Sequence, residues 1–231
     1  MDVNGVALVV GAGSGIGLET ALLFAERGAR AVVFADQAFD AASEASEKSK
    51  SIATAGDYQT MAIAVDVRDR ASVKAMVEEV KKRFARLDYA ANSAGATEAD
   101  TTSADESEYD LLHDVNAKGI LHCLQEEIVS MKDQEPAHVE GRSGRRTLEN
   151  RKSGLRINEV CPGFTDTPTL RRGFQRKPEI KDLINKSMPL GRAATAEEIA
   201  NVIHFLASPG ASFVNGQSII ADSGVSIAIV S

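Results

Sequence analysis

Seven residues near the amino terminus, Gly11-Ala12-Gly13-Ser14-Gly15-Ile16-Gly17, have the composition of a phosphate-binding turn. Glycine lets backbone amides approach a pyrophosphate with no Cβ in the way, and the first turn of a helix aims unpaired N–H groups and its positive dipole end at the anion. The turn lies between a continuous apolar run, Val6 to Val10, and a segment with Leu18, Leu22, Leu23 and Ala25 at helical spacing up to Gly28. In this strand, turn, helix context a glycine pattern that would be weak alone becomes specific for a dinucleotide. Gly11, Ser14, Gly15, Ile16 and Gly17 are the residues it assigns to the pyrophosphate.

Asp36 closes a second apolar run, Ala31 to Phe34, about 20 residues past the glycines. A carboxylate there can accept hydrogen bonds from the adenosine ribose 2′-OH and repels a 2′-phosphate. The next residue is Gln37 and not a base, so NAD is preferred over NADP. The plainer reading is that Asp36 opens a turn. His113, His122, His138 and His204 are scattered over two helical segments and a loop, where structural roles outnumber catalytic ones. Cys123 and Cys161 have no metal-type spacing and read as small buried apolar groups. Arg171, Arg172, Arg176 and Lys177 follow Pro168 and read as a solvated helix face before they read as a site for an acidic substrate.

The elements that must hold these residues follow from periodicity. Met61 to Val65 is a third apolar run, ending at Asp66, and Val73, Met76, Val77, Val80 and Phe84 form one face of an amphipathic helix. Tyr109, Leu112, Val115, Leu121, Leu124, Ile128 and Met131 make a second long helical stripe, interrupted at Gly119, where a residue without a side chain permits close packing. Arg156 to Val160 is expected to form a short strand. Thr195 and Glu198 make a capping box ahead of Ile199, Val202, Ile203 and Leu206, and Ser218 to Ala221 supplies a last strand. Alternating strands and helices predict an α/β fold of Rossmann type: a doubly wound, mainly parallel sheet flanked by helices, in one domain spanning 1–231. Residues 134–154 carry five basic side chains and almost no apolar ones, and are expected to be an exposed loop.

Composition bounds the partners. A formal charge of −7 on 231 residues disfavours nucleic acid, because phosphate-backbone binders cluster Lys and Arg. No apolar run approaches the roughly 18 residues that span a bilayer, and the amino terminus has no signal-peptide pattern, so no membrane contact and a cytoplasmic location are expected. The two cysteines fit a reducing compartment.

With these motifs assembled, the chain resembles the short-chain dehydrogenase/reductase family. Gly11, Gly15 and Gly17 match its TGxxxGxG turn, and Asn92-Ser93-Ala94-Gly95 matches its NNAG. Asp66-Val67, Asn116, Arg156-Ile157-Asn158, Pro162-Gly163 with Thr167, and Asp222-Ser223-Gly224 also fall where the family has counterparts. The resemblance implies that Asp66 and Val67 flank the adenine, that Asn92, Ala94 and Gly95 lie along the cofactor, and that Thr165 and Thr167 meet the nicotinamide amide. It places a substrate lid at 167–194 and implies a homo-oligomer acting on a small-molecule substrate that the residues do not specify. Val10 and Ser93 depart from the family's Thr and second Asn.

The larger departure is a missing unit. The family carries a strand with a catalytic Ser and a helix with Tyr-x-x-x-Lys between the Asn116 helix and the strand matching Arg156 to Val160. Here the tyrosines are Tyr58, Tyr89 and Tyr109, and four positions on stand Ala62, Ser93 and His113. A seam near Arg146 would remove roughly 30 residues, one βα step of a parallel sheet. Asn116 is then a remnant of the catalytic set, or a helix residue with a local hydrogen bond. The resemblance therefore implies an oxidoreductase scaffold with impaired catalysis. A non-redox enzyme, an isomerase or cyclase, and an NAD-sensing pseudoenzyme are the alternatives. The lost strand would leave the Arg156 strand either paired directly with the strand at Ala90 or separated from it by a gap, with an apolar stripe at Leu121, Leu124 and Ile128 uncovered.

Overall fold

The computed structural model describes residues 3–97, 106–135 and 154–227. Four parallel strands form the main sheet: β1 (Val6–Val10), β2 (Ala31–Asp36), β3 (Gln59–Ala64) and β4 (Tyr89–Asn92), in the order β3-β2-β1-β4. Because side chains alternate across a strand, β1 divides its apolar residues between two layers. Val6, Leu8 and Val10 join the cluster under α3 (Arg70–Phe84), where Val73, Met76, Val77, Val80 and Phe84 are buried as their spacing predicts. Ala7 and Val9 join the cluster under α1 (Gly15–Glu26) and α2 (Phe39–Ser49). Helices on both faces of a parallel sheet make the fold α/β, as expected.

After β4 comes one long helical stretch with a local change of pitch. α4 (Glu106–His113) passes through a π-helical turn, Asp114–Gly119, into α5 (Ile120–Lys132). A Cβ at Gly119 would lie 2.6 Å from Val67 Cγ2, so the glycine is where the helix meets the end of the β3 region. Two effects compete in Gly119→Ala: helix propensity gains about 1 kcal/mol, and overpacking against a buried valine costs about 1–3 kcal/mol. The clash is expected to win, lowering stability by about 1 kcal/mol in urea unfolding. An unchanged or raised midpoint would mean that Val67 moves aside freely.

Beyond residue 154 the chain forms β5 (Glu159–Pro162), β6 (Thr165–Asp166), α6 (Pro168–Arg176), α7 (Glu179–Ser187), β7 (Ala194–Thr195), α8 (Ala196–Ala207) and β8 (Ser218–Ala221). β5 pairs with β8, and β6 with β7, both in parallel. The reciprocal Thr195–Glu198 capping box starts α8, which packs along α1 and ties this half to the main sheet.

Three expectations need correcting. The strand expected at Arg156 to Val160 begins at Glu159, because the residues before it bond through side chains instead of a ladder. The Arg156 guanidinium donates to the Leu206 and Val214 carbonyls, Ile157 N–H to Asn215 Oδ1, and Asn158 Nδ2 to the Val214 carbonyl. Cys123 is buried, but Cys161 is only half-buried. The apolar stripe is not uniformly uncovered: Leu121 is 52% exposed, whereas Leu124 and Ile128 line a cavity. Of the loop expected at 134–154, residues 136–153 lie outside the described residues.

Of the two outcomes set by the missing strand, the gap is the one observed. Among the described residues, β4 bonds to β1 alone and β5 to β8 alone. A cavity of about 860 Å³ separates them.

Candidate functional site

Four segments distant in sequence converge at the carboxyl ends of β1, β2 and β4, and the phosphate turn is their centre. Gly11 has φ +86°, and a Cβ there would lie 2.5 Å from the Ala94 amide nitrogen. At Gly13 a Cβ would be 2.9 Å from the Asp36 carboxyl, and at Gly15, with φ +58°, 3.2 Å from Thr167 Cγ2. A Cβ at Gly17 would collide with the Gly11 carbonyl. The glycines therefore bring the backbone against the Ser93-Ala94 segment, Asp36 and Thr167 at once, which no other residue type allows.

Ser14 caps α1 from an extended conformation without a side-chain bond, and no acidic residue occupies the first turn. The Ser14 side chain thus does not occupy the amino-terminal N–H groups of α1, and the glycine-rich turn fits a pyrophosphate. Ile16 lines the large cavity beside it. Asp36 accepts from Gly13 N–H and from Ala38 N–H, both at 2.8 Å, which fixes its carboxylate against the turn.

The other predicted residues divide between exposed and inward positions. Asp66 pairs with Arg68, whose side chain holds the Asp66 carboxyl below its ordinary range. Val67 is 6% exposed and packs into the core, and its carbonyl meets His122 Nδ1 at 3.0 Å. Thr165 is buried and donates to the Gly163 carbonyl, while Thr167 caps α6 by accepting from Leu170 N–H. The lid region 167–194 holds α6 and α7, and there Arg171 pairs with Asp166. Asn116 sits inside the π turn, where its Oδ1 accepts from Ala96 N–H at 2.8 Å and its Nδ2 donates to the Ala96 carbonyl at 2.9 Å. Gly95 lies beside this pair, its hypothetical Cβ 3.6 Å from Asn116 Oδ1. A π turn pinned to the loop after β4 accounts for Asn116 in structural terms.

Asn92 is tied to a residue that motif reading missed. Its Nδ2 donates to Glu127 Oε2 at 2.9 Å, and Glu127, on the inner face of α5, is only 2% exposed. Burial pushes the Glu127 carboxyl up to about 7, opposed by the Asn92 hydrogen bond. The signal was available as a carboxylate at the position after Leu124 and before Ile128 that completes the helical spacing from Cys123, inside an otherwise apolar stripe.

A family model described as short chain dehydrogenase matches residues 5–141, and one described as enoyl-(acyl carrier protein) reductase matches residues 137–226. The chain is 33% identical over 270 positions to the short-chain dehydrogenase srdC of Neurospora crassa, with 99% of each covered. It is 32% identical over 248 positions to the meso-2,3-butanediol dehydrogenase of Serratia marcescens, covering 96% of this chain and 94% of the other. The crystal structure of a short-chain type dehydrogenase/reductase from Mycobacterium marinum matches with a TM-score of 0.82 and 22% identity, over 98% of both chains, and shows the same fold. The chain belongs to the short-chain dehydrogenase/reductase family of oxidoreductases, whose members bind nicotinamide cofactors.

These alignments also measure the departure. The alignment with srdC runs over 270 positions against 231 residues here, so about 40 positions of that relative stand opposite no residue of this chain. The two family models meet at residues 137–141, close to the seam read from the sequence.

Proposed function

We propose that this chain binds NAD in preference to NADP on an oxidoreductase scaffold and that its hydride-transfer turnover is impaired. Support for NAD comes from Asp36, whose carboxylate is held by two backbone N–H groups at the tip of β2, where a 2′-phosphate would bring a second negative charge. Bound nicotinamide would supply the hydride acceptor or donor; the protein must handle the proton at the substrate oxygen.

The observation that carries the reading of impairment is where the three tyrosines stand. Tyr58, just ahead of β3, bonds to Ser49, and burial pushes its hydroxyl above the ordinary phenol range, the wrong direction for a base. Tyr89 stacks on Phe24 and donates to the Asn4 carbonyl at the amino end of the sheet, away from the phosphate turn. Tyr109 lies on the outside of α4, 66% exposed and stacked on His113. Asn116 spends both amide atoms on Ala96.

Cofactor choice is tested by titrating NAD and NADP calorimetrically. Asp36→Ala is expected to weaken NAD binding and narrow the preference over NADP, by about tenfold for the loss of a charge-assisted ribose contact. An unchanged ratio would remove Asp36 from the argument. The same reading takes the protein as a cytosolic homo-oligomer acting on a small molecule, away from nucleic acid and membranes. Leu121 and Val129, both exposed on α5, offer a contact face. No helix among the described residues is long and apolar enough to cross a membrane.

A further inference from the structure

The cavity between β4 and β5 has apolar walls and a polar floor. Leu124, Ile128 and Met131 of α5 face it from one side, and Ile203 and Leu206 of α8 from another. Its floor includes Asn92 and Glu127. Their mutual hydrogen bond uses Asn92 Nδ2 and Glu127 Oε2, and leaves Asn92 Oδ1 and Glu127 Oε1 buried with no partner. A buried acceptor without a donor is costly, and a carboxylate more so than an amide. An apolar pocket with a few convergent polar atoms is how small-molecule sites are built.

We propose that this cavity is a binding site for a small apolar primary amine, whose ammonium donates to Glu127 Oε1 and Asn92 Oδ1 while its hydrocarbon chain lies between α5 and α8. An ammonium brings three donors and no acceptor, and so matches two acceptors one of which is a carboxylate. An alcohol of the same length brings one donor and no charge, and a carboxylate ligand meets repulsion once Glu127 is ionised. Neither acceptor belongs to the glycine-rich turn, but Asn92 is also set along the cofactor by the family resemblance, so the amine is titrated in the absence of dinucleotide.

The charged groups around Glu127 are otherwise engaged. Asp88 is paired with Arg86, Glu159 accepts from Ser218 Oγ, and Arg156 donates to backbone carbonyls. On α5 itself Glu126 pairs with Arg70 of α3, His122 meets the Val67 carbonyl, and Cys123 stays a thiol, pushed up to about 12 by burial. His204 of α8 turns towards Phe24. Glu127 is therefore the group on this floor that changes charge near neutrality.

The test is calorimetry on the full chain without dinucleotide, titrated with hexylamine, 1-hexanol and hexanoate at pH values of about 6 and about 8. Hexylamine is expected to bind most tightly, about tenfold tighter at the higher pH as Glu127 ionises. The alcohol should bind more weakly than the amine at the higher pH, and hexanoate should be excluded at about pH 8, where Glu127 is ionised. Glu127→Gln should remove the pH dependence and cost the amine about tenfold or more. Ile128→Phe, which keeps the carboxyl and narrows the cavity beside it, should weaken the amine and the alcohol together. Hexylamine binding no tighter than hexanol, or unaffected by Glu127→Gln in a variant with native circular dichroism, would overturn the proposal.

Discussion

With saturating NAD and a panel of secondary alcohols, this chain is expected to form NADH at least about 10²–10⁴-fold more slowly than an intact relative, the loss that follows removal of general acid/base catalysis alone. Removal of the side chains that orient the substrate oxygen adds to that deficit, since positioning is itself worth several kcal/mol of barrier. The meso-2,3-butanediol dehydrogenase of Serratia marcescens is a suitable comparison, assayed beside this chain on its named diol. NAD binding is expected to survive, because the phosphate turn, Asp36 and the Ser93-Ala94 segment are assembled without the missing unit. Binding and turnover should thus come apart. Turnover within tenfold of the relative would mean that another group moves the proton.

Glu127→Gln should stabilise the fold at neutral and alkaline pH. Glu127 titrates near 4.5 when exposed and near 7 when folded, because burial penalises its charge. Below about pH 4.5 the carboxyl is protonated in both states and contributes no penalty. As pH rises towards 7 the unfolded chain releases a proton that the folded one keeps, so native stability falls; above that the full cost remains. The difference amounts to about 3 kcal/mol at most, at 1.36 kcal/mol per unit. Glutamine keeps the shape and an acceptor for Asn92 Nδ2 and carries no charge to bury. Urea unfolding at several pH values should therefore show the two proteins diverging between about pH 5 and about pH 8, with the variant more stable. Parallel curves would show that Glu127 is hydrated in solution.

The gap beside Glu127 explains why such a cost is concentrated there. In a continuous parallel sheet the edge of β4 would be paired, and α5 would cover strand on both sides. Among the described residues β4 ends the main sheet, and β5 with β8 is held through α8 packed on α1. The carboxyl of Glu127 and the amide of Asn92 consequently face a cavity instead of a neighbouring strand.

Local pattern was enough to determine the α/β class, the glycine-rich turn, the strand end at Asp36, the α3 face and the α8 capping box. Each depends on interactions within a few residues: glycine conformation, apolar periodicity, a capping side chain. The absence of Tyr-x-x-x-Lys was equally plain, because a composition of three tyrosines is complete information. Tertiary structure alone decided what happens where the unit is missing. Whether β5 slides against β4 depends on α8, on Arg156 reaching carbonyls fifty and more residues away, and on the volume α5 cannot fill. Glu127 belongs to the same class of result: its neighbours in sequence show a polar residue on an apolar helix face, but its burial, its bond to Asn92 and its raised pKa arise from packing against β4.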